Sequence, residues 1–509
     1  MKRLAVLIAM VSLLMPSQIA TAAGTDAYDP NRVPIASDQI MMTLEELGRA
    51  VPHSTLQAER ETSGGGFQER VATCKSPTDE RCDPTKVTGN LMADVILPHC
   101  STTTQEFCVE SLDLAPAGGE LKPATFLRNA TSDWSWAPDT STGLLQGSGA
   151  ALFSASNMPD TATSLYAVTV VIKQSLNPVQ KKFGIGDVTV TVQPYREPDT
   201  PAGGGNFSCV FLEGDKCGML QSFSEGTVAK VSVRLPNSVG GWFRGRLKDP
   251  TVDVQRISNS ANRIVVTGQA VTVPRFALVR SKATHDADEW YHKEIHSWWG
   301  TSVGVAAGGP SEGENGFKYL ERFRESVKDT SGGETTFWSM KTAPAGQGSN
   351  CLADSSKVLG LVTTNSMVYD ATAPQFTNGS LNYKVAGLHY LPDAKTLAIG
   401  TYDLVLRSDI ARCLYGFSNA PLQASISIVG GTDQVATTVV SEKDGWLKLA
   451  AYGFTFSEKS ISVKLSQQAP APTVVAKPAA KAKSTITCVK GKTTKKVTGT
   501  KCPSGWRKR

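Results

Sequence analysis

The sequence predicts a mainly β protein. We expect antiparallel β-sandwich-like domains with short local disulfide loops, one helix-containing insertion, a flexible linker and a small basic C-terminal module. Short stretches of alternating β-branched residues recur between clusters of Gly, Pro, Asn and Ser, which is typical of antiparallel strands. Three pairs among the ten cysteines share one spacing, which indicates local covalent loops. Hydrophobic residues make up 40% of the 509, so disorder over most of the chain is excluded.

Residues 1–23 have the three parts of a secretory signal peptide. Lys2 and Arg3 supply positive charge, Leu4–Met15 is almost entirely apolar, and Ala20–Ala22 places small residues at a cleavage site. The apolar stretch is too short to cross about 30 Å of hydrocarbon, and no other stretch is long enough to do so. We therefore expect export, with no transmembrane segment after the signal is removed.

The cysteine spacing favours disulfides. Three successive pairs each enclose seven residues, and four cysteines remain: Cys74/Cys82, Cys100/Cys108 and Cys209/Cys217, then Cys351, Cys413, Cys488 and Cys502. Spacing alone leaves about 945 pairings open, but the recurrence favours the three local loops, with 351–413 and 488–502 left over. Zinc thiolate sites need closer spacing, of two to four intervening residues. Disulfides require a compartment outside the cytosol, so we expect a secreted, extracellular protein.

The body divides into a polar segment and two β-rich domains. Residues 24–90 are polar, with a short helix expected around Asp38–Arg49 because Glu46 lies three residues after Thr43, as in a capping box. In the first β-rich domain, 91–282, strands are expected at 167–172, 187–192, 228–235 and 263–267, with another beginning at 271. In the second, 348–465, strands are expected at 357–362, 381–390, 401–407, 424–429, 434–440, 446–452 and 460–465.

An aromatic and histidine-containing insertion, 283–347, lies between the two β-rich domains. It holds four of the nine Trp and three of the six His. One helix is expected from Gly316 to Asp329, because apolar residues recur there at spacings of three and four.

Four residues of the insertion are candidates for metal ligands: His285, Glu289, His292 and His296. On one continuous helix their spacing would place them on a single face, where imidazole and carboxylate could bind a divalent metal. Asp286 and Asp288 favour caps and loops over a helix interior. The alternative is a polar surface loop whose tryptophans fold back on the core.

Two further motifs suggest other chemistry. Gly300–Gly304 matches the nucleophile elbow of serine hydrolases, with Ser302 at its centre, but the flanking residues favour neither the strand nor the helix that an elbow needs. Trp134 and Trp136 would share a face if they lay on a strand, either as a carbohydrate-stacking platform or as part of the core. The stronger expectation is a core role for the tryptophans and no catalytic residue at Ser302.

The C-terminal end carries the basic charge. Residues 466–484 form an Ala/Pro/Lys linker, and 485–509 form a basic tail bracketed by two cysteines. Segment 466–509 has eleven Lys and Arg and no Asp or Glu, so without it and the signal peptide the net charge of +6 becomes −7. The residues that could bind a polyanion are Lys490, Lys492, Lys495, Lys496, Lys501, Arg507, Lys508 and Arg509. We expect an anionic cell-wall polymer or a membrane surface as partner, and no nucleic acid, unless the tail only solubilises.

Parts of the C-terminal region resemble uncharacterised secreted proteins of actinobacteria. The tail matches through Ile486–Lys492 (ITCVKGK) and Lys501–Trp506 (KCPSGW). Residues 401–409, 412–417, 440–446 and 453–456 also look like a region that recurs in that group. The resemblance covers about 350–509 well and implies export and a shared surface role. It transfers no catalytic residue.

These patterns together predict a secreted, non-catalytic cell-surface protein that acts in binding or adhesion and uses no cofactor. The alternatives are a secreted metal-dependent or serine hydrolase that uses the 285–302 region, and a purely structural component of the envelope. Carbohydrate is a further candidate partner.

Overall fold

The computed structural model describes residues 36, 38–45, 52–61, 68–158, 164–197, 209–214, 216–295, 306–344, 349–354, 356–418, 422–429, 437–456, 459–467 and 484–509. The chain divides into two compact units, Met1–Ser466 and Gln467–Arg509, which we call the body and the tail unit. The predicted signal peptide and nearly all of the predicted linker lie outside the described residues.

The body is mainly β, as predicted. Its strands up to the insertion are β1 (Gln39–Glu45), β2 (Thr55–Glu61), β3 (Gln68–Cys74), β4 (Asn90–Ile96), β5 (Cys108–Ala115), β6 (Lys122–Pro123), β7 (Thr125–Asn129), β8 (Ala151–Ser154), β9 (Leu165–Asn177), β10 (Lys182–Arg196), β11 (Cys209–Glu213), β12 (Lys216–Leu220), β13 (Val228–Pro236), β14 (Gly241–Arg246), β15 (Lys248–Arg256), β16 (Ala261–Gln269), β17 (Val271–Arg275) and β18 (Ala277–Ser281).

The later strands of the body are β19 (Ala306–Pro310), β20 (Gly333–Ala343), β21 (Val358–Thr364), β22 (Val368–Tyr369), β23 (Gln375–Thr377), β24 (Ser380–Ala386), β25 (Ile399–Arg407), β26 (Leu422–Val429), β27 (Thr437–Lys443), β28 (Trp446–Thr455) and β29 (Lys459–Gln467). The α-helices are α1 (Lys282–Asp286), α2 (Glu289–Glu294), α3 (Gly313–Phe323) and α4 (Ser408–Tyr415). Short 3-10 turns lie at Glu80–Cys82, Glu325–Val327 and Asn350–Leu352.

Within the described residues, a sixteen-stranded sheet forms the middle of the body. Its main path runs β27-β28-β25-β21-β14-β20-β10-β9-β4-β2-β3, and five further strands attach to this path. Neighbours on the path are antiparallel except for the parallel pair β14/β21. That pair joins a strand of the predicted 91–282 domain to a strand of the predicted 348–465 domain, so both β-rich regions contribute to one sheet.

Two smaller sheets cover the faces of the large sheet and bury two cores. The sheet β15-β16-β13-β5-β6 contributes Val231 and Ile264 to the first core, and the sheet β22-β24-β29-β26 contributes Ile461 to the second. Strand β25 contributes side chains to both cores, since Val405 lies in the first core while Leu404 and Leu406 lie in the second. Side chains alternate between the two faces of a strand, so the sheet packs on both sides as in a β-sandwich.

The helix expected around Asp38–Arg49 is wrong, because Gln39–Glu45 forms β1. This strand pairs antiparallel with β18 and parallel with β19 and lies between them. Ile40 and Met42 are buried in a third core, against helices α2 and α3. Partners from much later in the chain satisfy the backbone of β1, and local capping signals do not report such partners.

The predicted helix of the insertion exists but ends earlier than expected. Helix α3 begins three residues before Gly316, and a 3-10 turn follows it. Lys328 and Asp329 adopt φ of 52° and 55°, in the left-handed region, which stops the helix before its predicted end. The apolar residues of this spacing pattern are buried at Phe317, Leu320 and Phe323, while Val327, in the 3-10 turn, is half-buried.

All five disulfides suggested by the spacing are present, and no cysteine among the described residues is free. They join Cys74–Cys82, Cys100–Cys108, Cys209–Cys217, Cys351–Cys413 and Cys488–Cys502. Four bridges close short loops, and Cys351–Cys413 links residues 62 apart. The pattern fits a protein that folds where thiols are oxidised.

Candidate functional site

The tail unit is a three-stranded antiparallel sheet closed by a disulfide. Strand β30 (Thr485–Lys490) lies between β31 (Thr493–Thr498) and β32 (Arg507–Lys508). Gly491, with φ of 61°, occupies the first central position of the two-residue β30–β31 turn, where a tight hairpin favours glycine. Cys488 on the central strand is fully buried and bonds to Cys502. This bridge strengthens a sheet too small to bury a large core.

The cations of the tail unit lie on both faces of its sheet. Lys495 and Lys508 stand opposite Cys488, one on each neighbouring strand. Lys496 stands opposite Thr487, on the other face, because successive strand residues point to opposite sides. The eight predicted polyanion-binding residues are all exposed: Lys490, Lys492, Lys495, Lys496, Lys501, Arg507, Lys508 and Arg509.

No acidic side chain balances these cations within their own unit, because the sequence from 466 to 509 contains no Asp or Glu. The positive charges therefore repel one another, and an external anion relieves that repulsion. Because these cations are distributed over both faces of the sheet and its turn, they form a polycationic surface rather than a pocket for one small anion.

The metal-ligand candidates of the insertion do not share one helix. Helix α1 ends at Asp286, and Asp288 caps α2 by accepting a hydrogen bond from the Tyr291 backbone N–H (3.0 Å). The chain still brings His285 and His292 together, with ring centroids 5.2 Å apart. The third possible ligand near them is Asp286 in place of Glu289, and the ligand atoms of this triplet lie within 4.8 Å of one another. His296 lies outside the described residues.

Hydrogen bonding makes His285 a poor metal ligand. An Arg280 guanidinium N–H contacts its Nδ1 at 2.9 Å, and since guanidinium only donates, Nδ1 must carry the lone pair. The proton of the neutral ring then lies on Nε2, so neither nitrogen is free to coordinate. Burial, followed by the charges of Arg280 and His292, lowers the pKa of His285 to about 4. The ring is therefore neutral at physiological pH.

Arg280 instead organises a buried polar network. Its guanidinium donates to the Asp288 carboxylate at 2.8 Å, and both side chains are almost fully buried. It also lies 5.3 Å from the centroid of the Phe323 ring. Arg280 thus ties strand β18 to the N-terminus of α2 and to α3, which is a structural role.

The two tryptophans at 134 and 136 differ in their surroundings. Trp136 is buried in the first core, and its Nε1–H donates to the Leu145 carbonyl (2.9 Å). Trp134 is half-buried and stacks on His53 at 4.3 Å. The pair therefore does not form a shared platform. The Gly300–Gly304 elbow with Ser302 lies outside the described residues.

A cleft beside α2 and α3 was not anticipated from the sequence. Two open grooves, of about 840 and 470 Å³, both have Trp290 and Arg322 in their walls. The signal that could have indicated this cleft is Trp290, which precedes an amphipathic helix in the insertion.

Two buried acidic residues were also missed. Glu312, just before α3, accepts hydrogen bonds from Arg244 (2.5 Å) and from the Tyr369 hydroxyl (3.0 Å), and it pairs with Lys341. Asp403 on β25 is fully buried, and burial raises its pKa to about 7. Neither position carries a motif, because both depend on contacts between distant strands.

Comparison with protein-family models, with curated proteins and with solved structures finds no match to this chain. Over the described part of the chain, none of the helices has both the length and the apolar character needed to cross a bilayer.

Proposed function

We propose that this chain is an exported, non-catalytic protein of the cell surface that binds an anionic envelope polymer through its tail unit. The observation that carries the proposal is the set of eight exposed cations on a disulfide-closed sheet whose sequence lacks acidic side chains. The five disulfides support the export on which the proposal depends.

A polymer fits this surface better than a single small anion. Lys495 and Lys496 are adjacent on β31 and point to opposite faces, so one compact ligand cannot contact both in the same way. A flexible chain with repeated phosphate or carboxylate groups can wrap the unit and meet cations on each side. Such binding is mainly electrostatic, so salt should weaken it strongly.

The test is co-sedimentation of the mature protein, 24–509, with isolated cell walls, with and without chemical removal of their anionic polymers. Replacing Lys495, Lys496, Arg507 and Lys508 by Gln should reduce the bound fraction at least about tenfold. This variant loses four of the eight exposed cations described in the tail unit. Walls stripped of anionic polymer should bind wild-type protein as weakly as untreated walls bind this variant.

A matched control replaces Thr493 and Thr494 by Gln on the same strand, which alters β31 without changing its charge. This control should sediment like wild type. Unchanged sedimentation of the four-cation variant, or equal binding to stripped walls, would refute the proposal. Binding only to anionic lipid vesicles would identify a membrane surface as the partner and would also overturn the polymer assignment.

A further inference from the structure

The cleft between α2 and α3 has an aromatic side chain at its centre. Trp290, on α2, lies in the walls of both open grooves, as does Arg322 on α3. The two grooves are therefore adjoining halves of one cleft, which extends along the surface on either side of this pair. Their volumes, about 840 and 470 Å³, are in the range that holds a small organic ligand or a few sugar rings.

The Trp290 ring is held in place but is not fully covered. Its ring meets buried Phe323 edge-on, with centroids 6.0 Å apart, and the Arg322 guanidinium lies 5.9 Å from its centroid. Trp290 is half-buried, so part of the indole is open to the cleft. A rigid, partly exposed indole loses little conformational entropy when a flat apolar ligand face stacks on it.

The rim of the cleft carries mixed charge. The carboxylates of Glu289, Glu294 and Glu321 lie among its walls, together with the cations Lys318 and Arg322. This sums to a formal charge of about −1, because Arg280 and Asp288 at the floor pair with each other. The cleft therefore does not favour the polyanion proposed for the tail unit, while its carboxylates and guanidinium offer planar hydrogen-bonding groups.

We propose that this cleft binds an uncharged saccharide, one ring of which stacks on Trp290 while its hydroxyls bond to the charged groups of the rim. The axial C–H face of a pyranose is apolar and complements the negative face of an indole. The hydroxyls on the ring edge can donate to Glu294 and accept from Arg322, two residues of the same wall. This inference is independent of the tail unit and of its polymer.

The probes are mannohexaose, maltohexaose and cellohexaose, titrated calorimetrically into the mature protein. At least one should bind, and its affinity should fall about tenfold or more in Trp290→Ala, which removes the stacking surface. Since Trp290 also packs on Phe323, Arg322→Ala provides a second variant at an exposed position. It should weaken binding while leaving thermal unfolding unchanged.

Trp134→Ala is the matched control, because Trp134 is also half-buried but lies outside the cleft walls. It should bind like wild type. Affinity should also persist at about 0.5 M NaCl, since screening affects charged ligands most. The proposal is overturned if none of the three oligosaccharides binds, or if the control loses as much affinity as Trp290→Ala. It is equally overturned if a lysine-rich peptide, titrated in the same way, binds where the oligosaccharides do not and salt abolishes that binding. The cleft would then be a site for cations.

Discussion

Asp403 should make the stability of the body depend on pH around neutrality. Its fully buried carboxyl accepts hydrogen bonds from the Tyr452 hydroxyl (2.5 Å) and from the Asp249 backbone N–H (3.3 Å). Burial is the main cause that raises its pKa from 3.8 to about 7, against the opposing effects of Tyr452 and Lys448. The folded protein therefore keeps a proton on Asp403 that the unfolded chain has already released.

The sign and size of the effect follow from this difference. Between about pH 4 and pH 7 unfolding releases the proton of Asp403, so the free energy of unfolding falls as pH rises, by about 4 kcal/mol in total. His285 acts in the opposite direction, because its pKa is lowered to about 4 and unfolding takes up a proton in the same range. The pH dependence of wild-type unfolding free energy contains both effects. The contribution of Asp403 is therefore isolated by comparing wild type with a variant that lacks its carboxyl group.

Asp403→Asn provides that difference, since it cannot titrate. Urea unfolding from about pH 4 to 8, with disulfides intact, should show the variant gaining about 4 kcal/mol relative to wild type. Tyr452→Phe should extend the wild-type decline above pH 7, because it removes a donor to the carboxylate, whereas Tyr390→Phe at an exposed loop should not. Parallel profiles for Asp403→Asn and wild type would show that Asp403 does not hold a proton near neutral pH.

Three further predictions concern one disulfide and the cluster around Arg280 and His285. Replacing Cys351 and Cys413 by Ser should lower the free energy of unfolding by about 4 kcal/mol, as expected for a closed loop of this length; a change below about 1 kcal/mol would contradict the loop-entropy account. Micromolar zinc should leave wild-type tryptophan fluorescence unchanged, because Arg280 occupies Nδ1 of His285, and stoichiometric quenching would refute this. Arg280→Met should destabilise the body by about 3 kcal/mol in thermal or urea unfolding by leaving Asp288 buried without its partner, and an unchanged stability would contradict the structural role.

Local pattern was enough to predict the disulfide pairs and part of the strands, but it did not predict, for example, β2 and β3 in the segment expected to be polar or β20 in the insertion. Among the predicted strands, the hairpin of β27 and β28 is an example, because Asp444 and Gly445 adopt φ of 52° and 79°, as the Asp-Gly pair indicates. What the sequence does not encode locally is which strands become neighbours. Strand β1 was missed for this reason, since β18 and β19 define it from far along the chain.

The candidate sites differ in the same way: some depend on local sequence and others on contacts between distant residues. The tail cations were predictable because they depend on charge composition and a disulfide spacing, both readable along the chain. Of the two arrangements considered for the cluster around His285, the continuous helix does not form, because Asp288 caps a second helix, as its residue type favours. Arg280, which decides the chemistry of that ring, lies on a strand before the helices and has no motif to mark it.

The charge difference between the two units constrains how such a protein would attach to an anionic surface. Residues 24–465 carry a formal net charge of −7 and residues 466–509 carry +11, so attraction to an anionic surface must come from the tail unit. At physiological salt the Debye length is about 8 Å, so repulsion of the body is screened beyond that distance and does not cancel attachment through the tail. An uncharged saccharide in the Trp290 cleft would add a second contact without new electrostatic repulsion. Because both units belong to one chain, binding by one unit would raise the effective concentration of the other at the surface. Two sites of low affinity would then together hold the protein with high avidity. A tailless protein should accordingly lose far more retention than the affinity of the tail unit alone implies.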